Sequence, residues 1–128
     1  MKKVFLICTL FFSLIFYGQN ETKITPKKCL PKKGFHLRLK SVFDDSRCPE
    51  GVSCIWAGEV SVIIEVYDNR QFVEEKVLVF NAKNKEENFK WLEHYFQKKI
   101  KSIGVFPYPK EGQVVKPKKQ YITIVFED

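Results

Sequence analysis

The residues best able to do chemistry lie in one stretch, Asp44-Asp45-Ser46-Arg47-Cys48-Pro49-Glu50-Gly51-Val52-Ser53-Cys54-Ile55-Trp56-Ala57-Gly58-Glu59. Cys48 and Cys54 are close enough to close a very short ring, and Pro49 and Gly51 supply the bend that lets their Cβ atoms meet. In an oxidising compartment that pair is expected to be a disulfide. By loop entropy a ring this small contributes about 2–3 kcal/mol, and it stiffens whatever the loop presents. Asp44, Asp45 and Glu50, with loop carbonyls, are hard oxygen donors of the kind Ca²⁺ takes. Their spacing is not that of an EF-hand, and Arg47 among them repels a cation. The competing arrangement has Asp45 accepting from loop N–H groups while Arg47 pairs with Asp44 or Glu59. Trp56 is expected to anchor the core against the disulfide, and Gly58 to mark a bulge or a close approach.

Other reactive side chains are scattered. Cys29 is left as a third thiol that is free, pairs between chains or competes for Cys48 or Cys54. A cysteine nucleophile wants a histidine beside it, and nothing in the sequence places His36 or His94 there. No C-x₂-C or H-x₃-H spacing suggests zinc, and Ser, His and Asp occur in no nucleophile-elbow context. The chain is therefore read as a non-enzyme, with no cofactor expected beyond the Ca²⁺ candidate. Lys27-Lys28, Lys32-Lys33, Lys98-Lys99 with Lys101, and Lys116 with Lys118-Lys119 are basic enough for anionic glycans or lipid headgroups. They serve equally as solubilising lysines on strand edges. Arginine is scarce and no nucleic-acid fold is visible, so sequence-specific nucleic-acid binding is not expected.

The elements that must position these residues are mostly strands. The chain has 128 residues, 45% of them hydrophobic and 12 of them Phe, enough for one domain with a core. Phe35, Leu37 and Leu39 alternate with His36, Arg38 and Lys40, the period of a half-buried strand. Ile55 to Tyr67 reads as the strongest strand, with Trp56, Gly58, Val60, Val62, Ile64 and Val66 on one face. Asp68-Asn69-Arg70 turns the chain, and Gln71 to Phe80 returns with Val73, Val77 and Val79 on one face, making a hairpin. Residues 81–100 suit either helix or strand; we take a short helix near Lys85–His94, with Asn84 and Glu87 resembling a capping box. A strand through about Lys98–Phe106 follows, ended by Pro107-Tyr108-Pro109. Tyr121 to Phe126 closes the domain. The fold class expected is all-β and mainly antiparallel: an Ig-like β-sandwich or open barrel with one short helix.

Ahead of this domain, residues 1–18 have the form of a Sec signal peptide: Lys2-Lys3, the apolar run Val4 to Tyr17, then Gly18 before Gln19. Cleavage near Gly18/Gln19 removes Cys8, Lys2 and Lys3, and lowers the formal charge from +7 to +5, with 20 basic residues against 15 acidic. Neither Cys8 nor Cys29 sits where a lipobox cysteine belongs, so soluble export to the periplasm or beyond is expected, with no transmembrane segment in the mature chain. Residues 19–33 form a polar lead-in rich in Lys and Pro, with an edge strand near Thr22–Thr25, and 34–128 form the single domain.

The pattern D-S-R-C-P-x-x-V-x-C-x-W-x-G-E is met by Asp45, Ser46, Arg47, Cys48, Pro49, Val52, Cys54, Trp56, Gly58 and Glu59. With the valine-rich strand and Val105-Phe106-Pro107-Tyr108-Pro109 further on, it resembles a family of small exported or lipid-anchored bacterial proteins of the Bacteroidetes type. The resemblance runs from about Phe35 to Phe126. It implies an all-β exported domain and brings no catalytic residue with it. The function expected is that of a non-catalytic binding or structural module of the cell envelope or exterior, whose partner is a protein or a glycan. Alternatives are a protease inhibitor presenting the Cys48–Cys54 loop, or a Ca²⁺-stabilised envelope protein. Asp44–Cys54 and Pro107–Pro109 are the expected contact surfaces, since loops on a rigid sandwich carry recognition.

Overall fold

A two-residue turn sets the centre of the fold. Asn69 and Arg70 both take positive φ, 48° and 68°, the conformation that matches the twist of two paired strands. In the computed structural model, which describes residues 20–128, that turn joins Val60–Asp68 to Gln71–Phe80. The elements in order are β1 (Glu21–Ile24), β2 (Phe35–Phe43), β3 (Val60–Asp68), β4 (Gln71–Phe80), α1 (Lys85–Phe96), β5 (Ile100–Phe106) and β6 (Tyr121–Phe126), with a 3-10 turn at Pro117–Lys119. The leader expected over residues 1–18, with its cleavage site and Cys8, lies outside the described residues.

The strands form two three-stranded antiparallel sheets, ordered β1-β6-β5 and β2-β3-β4. The fold is thus all-β and sandwich-like with one helix, and its barrel is not closed. Alternating apolar residues from both sheets meet in one core: Leu37, Leu39, Val62, Ile64, Val66 and Leu78 from one, Ile24, Val105, Ile122, Ile124 and Phe126 from the other. Leu92 of α1 is fully buried in the same cluster. The lead-in contributes β1, because Ile24 is buried and pairs with Ile122.

Three expectations are corrected. The strand read from Ile55 begins at Val60, and Ile55 to Glu59 is loop. Asn84 stands at the start of α1 without a side-chain cap; Asn81 Oδ1 accepts from the Asn84 N–H instead, at 2.8 Å. Val73 and Val77 share a face of β4, but that face is outward, and both are about half exposed. On the other face Leu78 enters the core, while Glu74 accepts from Trp91 Nε1 at 3.2 Å and from the Tyr95 hydroxyl, tying α1 to β4. Burial first, and the Glu74 carboxylate second, push the Tyr95 phenol up to about 12.

Candidate functional site

Between β2 and β3 the chain makes an excursion stapled at its tip. Ser46 and Glu59 pair through the Ser46 N–H and the Glu59 carbonyl at 2.8 Å, and the Cys48 N–H reaches the Ala57 carbonyl at 3.4 Å. Ser46 Oγ adds two contacts, donating to the Glu59 carbonyl and accepting from the Glu59 N–H, each at 3.1 Å. These bonds make a short ladder beneath the Cys48–Cys54 disulfide, whose Cα atoms are 5.8 Å apart. The ladder needs Gly58. Its φ is +71°, and a Cβ there would lie 2.0 Å from the Ser46 carbonyl oxygen, a contact no side chain tolerates. Inside the ring, the Val52 N–H bonds the Pro49 carbonyl at 3.2 Å, with Gly51 at φ +79°. The tip is therefore a turn and not an extended segment.

Arg47 fastens this loop to the opposite sheet. Its Nε and Nη2 donate to the two oxygens of Asp45 at 2.9 and 2.8 Å, and its Nη1 donates to the Val105 carbonyl of β5 at 2.5 Å. The guanidinium also lies over the Tyr108 ring, 4.6 Å from its centroid. A planar fork with several donors can do all of this at once; an ammonium cannot. Burial would raise the Asp45 carboxyl, but hydrogen bonds and charge from Arg47 outweigh it and hold it below the ordinary carboxylate range. A second clamp joins Glu50 to the segment after β5: its N–H bonds the Pro109 carbonyl at 3.0 Å, and its carboxylate faces Lys110 Nζ at 3.7 Å.

The two segments expected as contact surfaces, Asp44–Cys54 and Pro107–Pro109, are thus brought together into one surface at one end of the sandwich. Several individual expectations change. Arg47 pairs with Asp45, not with Asp44 or Glu59; Asp45 Oδ1 also accepts from the Arg47 N–H at 3.2 Å, the loop N–H contact expected of it, and this local turn brings the carboxylate to the guanidinium. Asp44, Asp45 and Glu50 do not assemble as metal ligands: Asp45 is engaged by Arg47 and Glu50 faces Lys110. Among the described residues no group of three or more His, Cys, Asp or Glu is placed to hold an ion. Trp56 is not a core anchor. It is 72% exposed, and Ile55 beside it is fully exposed. With half-exposed Val52 and Tyr108 they give the loop end an apolar, aromatic rim over a rigid base. Pro49 bends the ring as expected, and Cys29 is an exposed free thiol on the segment between β1 and β2.

The residue that sequence reasoning missed is Val105, which serves through its backbone carbonyl and so leaves no side-chain signature. Compared with family models, with curated proteins and with solved structures, the chain finds no match. No described helix is long and apolar enough to cross a membrane.

Proposed function

We propose that this protein is an exported, non-catalytic binding module of the cell envelope or exterior, and that it meets a protein partner through the Cys48–Cys54 loop end. The observation that carries this reading is the outward placement of Ile55 and Trp56 on a loop held by a disulfide, a backbone ladder and the Arg47 clamp. Exposed tryptophan on a pre-organised base is the composition of an interface hot spot, and rigidity lowers the ordering cost of docking. The disulfide, the leader-like residues 1–18 and the resemblance to exported bacterial proteins support the compartment. The turn within the ring disfavours the inhibitor alternative, because a protease cleft accepts an extended strand.

The test is photo-crosslinking in intact cells, with a benzophenone side chain placed at position 55 and, as control, at exposed position 86. A discrete protein adduct from position 55 that is absent from position 86 supports the reading. Adducts common to both positions, or none from either, contradict it.

A further inference from the structure

We propose a second binding site, for an acidic sugar residue, in the cleft between the start of α1 and the first residues of β5. The cleft has a volume of about 340 Å³ and shares no residue with the Cys-loop. That volume lies in the range of small-ligand sites and holds one or two pyranose rings.

The lining has the chemistry of such a ligand. Phe89 and Ile103 give an apolar wall for the C–H face of a sugar ring. Asn88 and Ser102 supply amide and hydroxyl groups suited to ring hydroxyls. Lys85 and Lys101 bring two positive charges, and no carboxylate lines the cleft. Glu86 and Glu87 are near in the first turn of α1 but are not part of the lining.

Asn88 adds a polar group of fixed orientation. It is 4% exposed, one of very few buried polar residues in the described chain. Its Nδ2 donates to the Val79 carbonyl at 2.8 Å, which fixes the amide plane. Held in this way, Asn88 lines the cleft. An amide whose plane is fixed is pre-set to meet a ring hydroxyl. Lys85 Nζ lies over the Phe89 ring, 5.5 Å from its centroid, so a cation already stands at the aromatic wall. A sugar carboxylate brought to that wall meets this charge and that of Lys101.

The experiment is a titration of the protein, followed by amide NMR at low ionic strength, with methyl glucuronide, methyl glucoside and acetate as separate probes. Saturable shifts at Asn88, Phe89, Ser102 and Ile103 are expected with the glucuronide, with a dissociation constant on the order of 1 mM. The glucoside and acetate are each expected to bind at least about fivefold more weakly, since each lacks half of the recognised chemistry. Lys85→Gln with Lys101→Gln changes two exposed side chains, leaves the fold intact and weakens the glucuronide by about tenfold. The proposal is overturned by any of three results: no saturable shift with the glucuronide, equal shifts with the glucoside or acetate, or full affinity in the double variant. Because position 55 is untouched, its crosslinking result stands or falls separately.

Discussion

The Arg47 guanidinium donates to the carbonyl of Val105, 58 residues away in sequence, and so ties a loop grown from one sheet to a strand of the other. The same side chain holds both oxygens of Asp45. Replacing it by lysine keeps the charge but loses the planar fork. Arg47→Lys is expected to lower unfolding free energy by about 1–3 kcal/mol and to speed amide hydrogen exchange at Ser46 and Glu59. Denaturant titration and exchange measurements read both. Exchange that stays as slow as in the parent protein would mean that the ladder alone holds the loop.

The pH dependence follows from Asp45. Its folded carboxyl is held below the ordinary value by Arg47, so the stabilisation it gives is complete above the unfolded carboxylate value of about 3.9 and is lost as pH falls through the lower folded value. Asp45→Asn is therefore expected to melt lower than the parent at neutral pH, with the difference shrinking below about pH 4. A gap in melting temperature that is constant through the acid range contradicts this account.

Glycines separate by what surrounds them. Gly58→Ala drives a Cβ to 2.0 Å from the Ser46 carbonyl oxygen, backbone that cannot yield, at a φ of +71°. A loss of about 2–4 kcal/mol is expected. Gly51→Ala meets nothing within 4 Å and bears only the conformational cost of about 1 kcal/mol. Thermal melts of the two variants should differ in that order, and equal losses would remove the close approach at Gly58 from the account.

The disulfide is expected to contribute about 2–3 kcal/mol by loop entropy, so the paired change Cys48→Ser and Cys54→Ser should lower stability by that amount without unfolding the domain. Cys29 is exposed and free, and is expected to alkylate in the native protein before reduction; intact mass after iodoacetamide reads this directly. Protection of Cys29, or alkylation of Cys48 without reductant, would contradict the pairing.

Much of the fold was legible because it is local. The alternation of Leu37 and Leu39, the valines of β3 and the Asn69-Arg70 turn each declare strand geometry within a few residues. Trp56 departs from the expected inward face for a physical reason: alternation extends back from Val60 through Gly58, but the positive φ of Gly58 breaks the strand there, so the inward phase is not transmitted. Similarly, alternation groups Val73 with Val77 but does not say which face is inward; the partner across the ladder decides that, as Val62 does for Leu78. The Arg47–Val105 bond was invisible because a backbone acceptor has no residue type to read. Sequence patterns give the Cys-loop and Pro107–Pro109 as two separate surfaces; their meeting depends on long-range contacts such as the Glu50 N–H to the Pro109 carbonyl.

On the proposed reading Trp56 serves binding and not packing, and the Trp56→Ala variant separates the two roles when melting temperature and crosslinking from position 55 are read together. A residue that is 72% exposed should change the melting temperature by no more than about 2 °C on removal, while the adduct from position 55 is lost. A fall of several degrees would make Trp56 a structural residue, and an undiminished adduct at unchanged stability would show that the partner does not use it; either result contradicts the account.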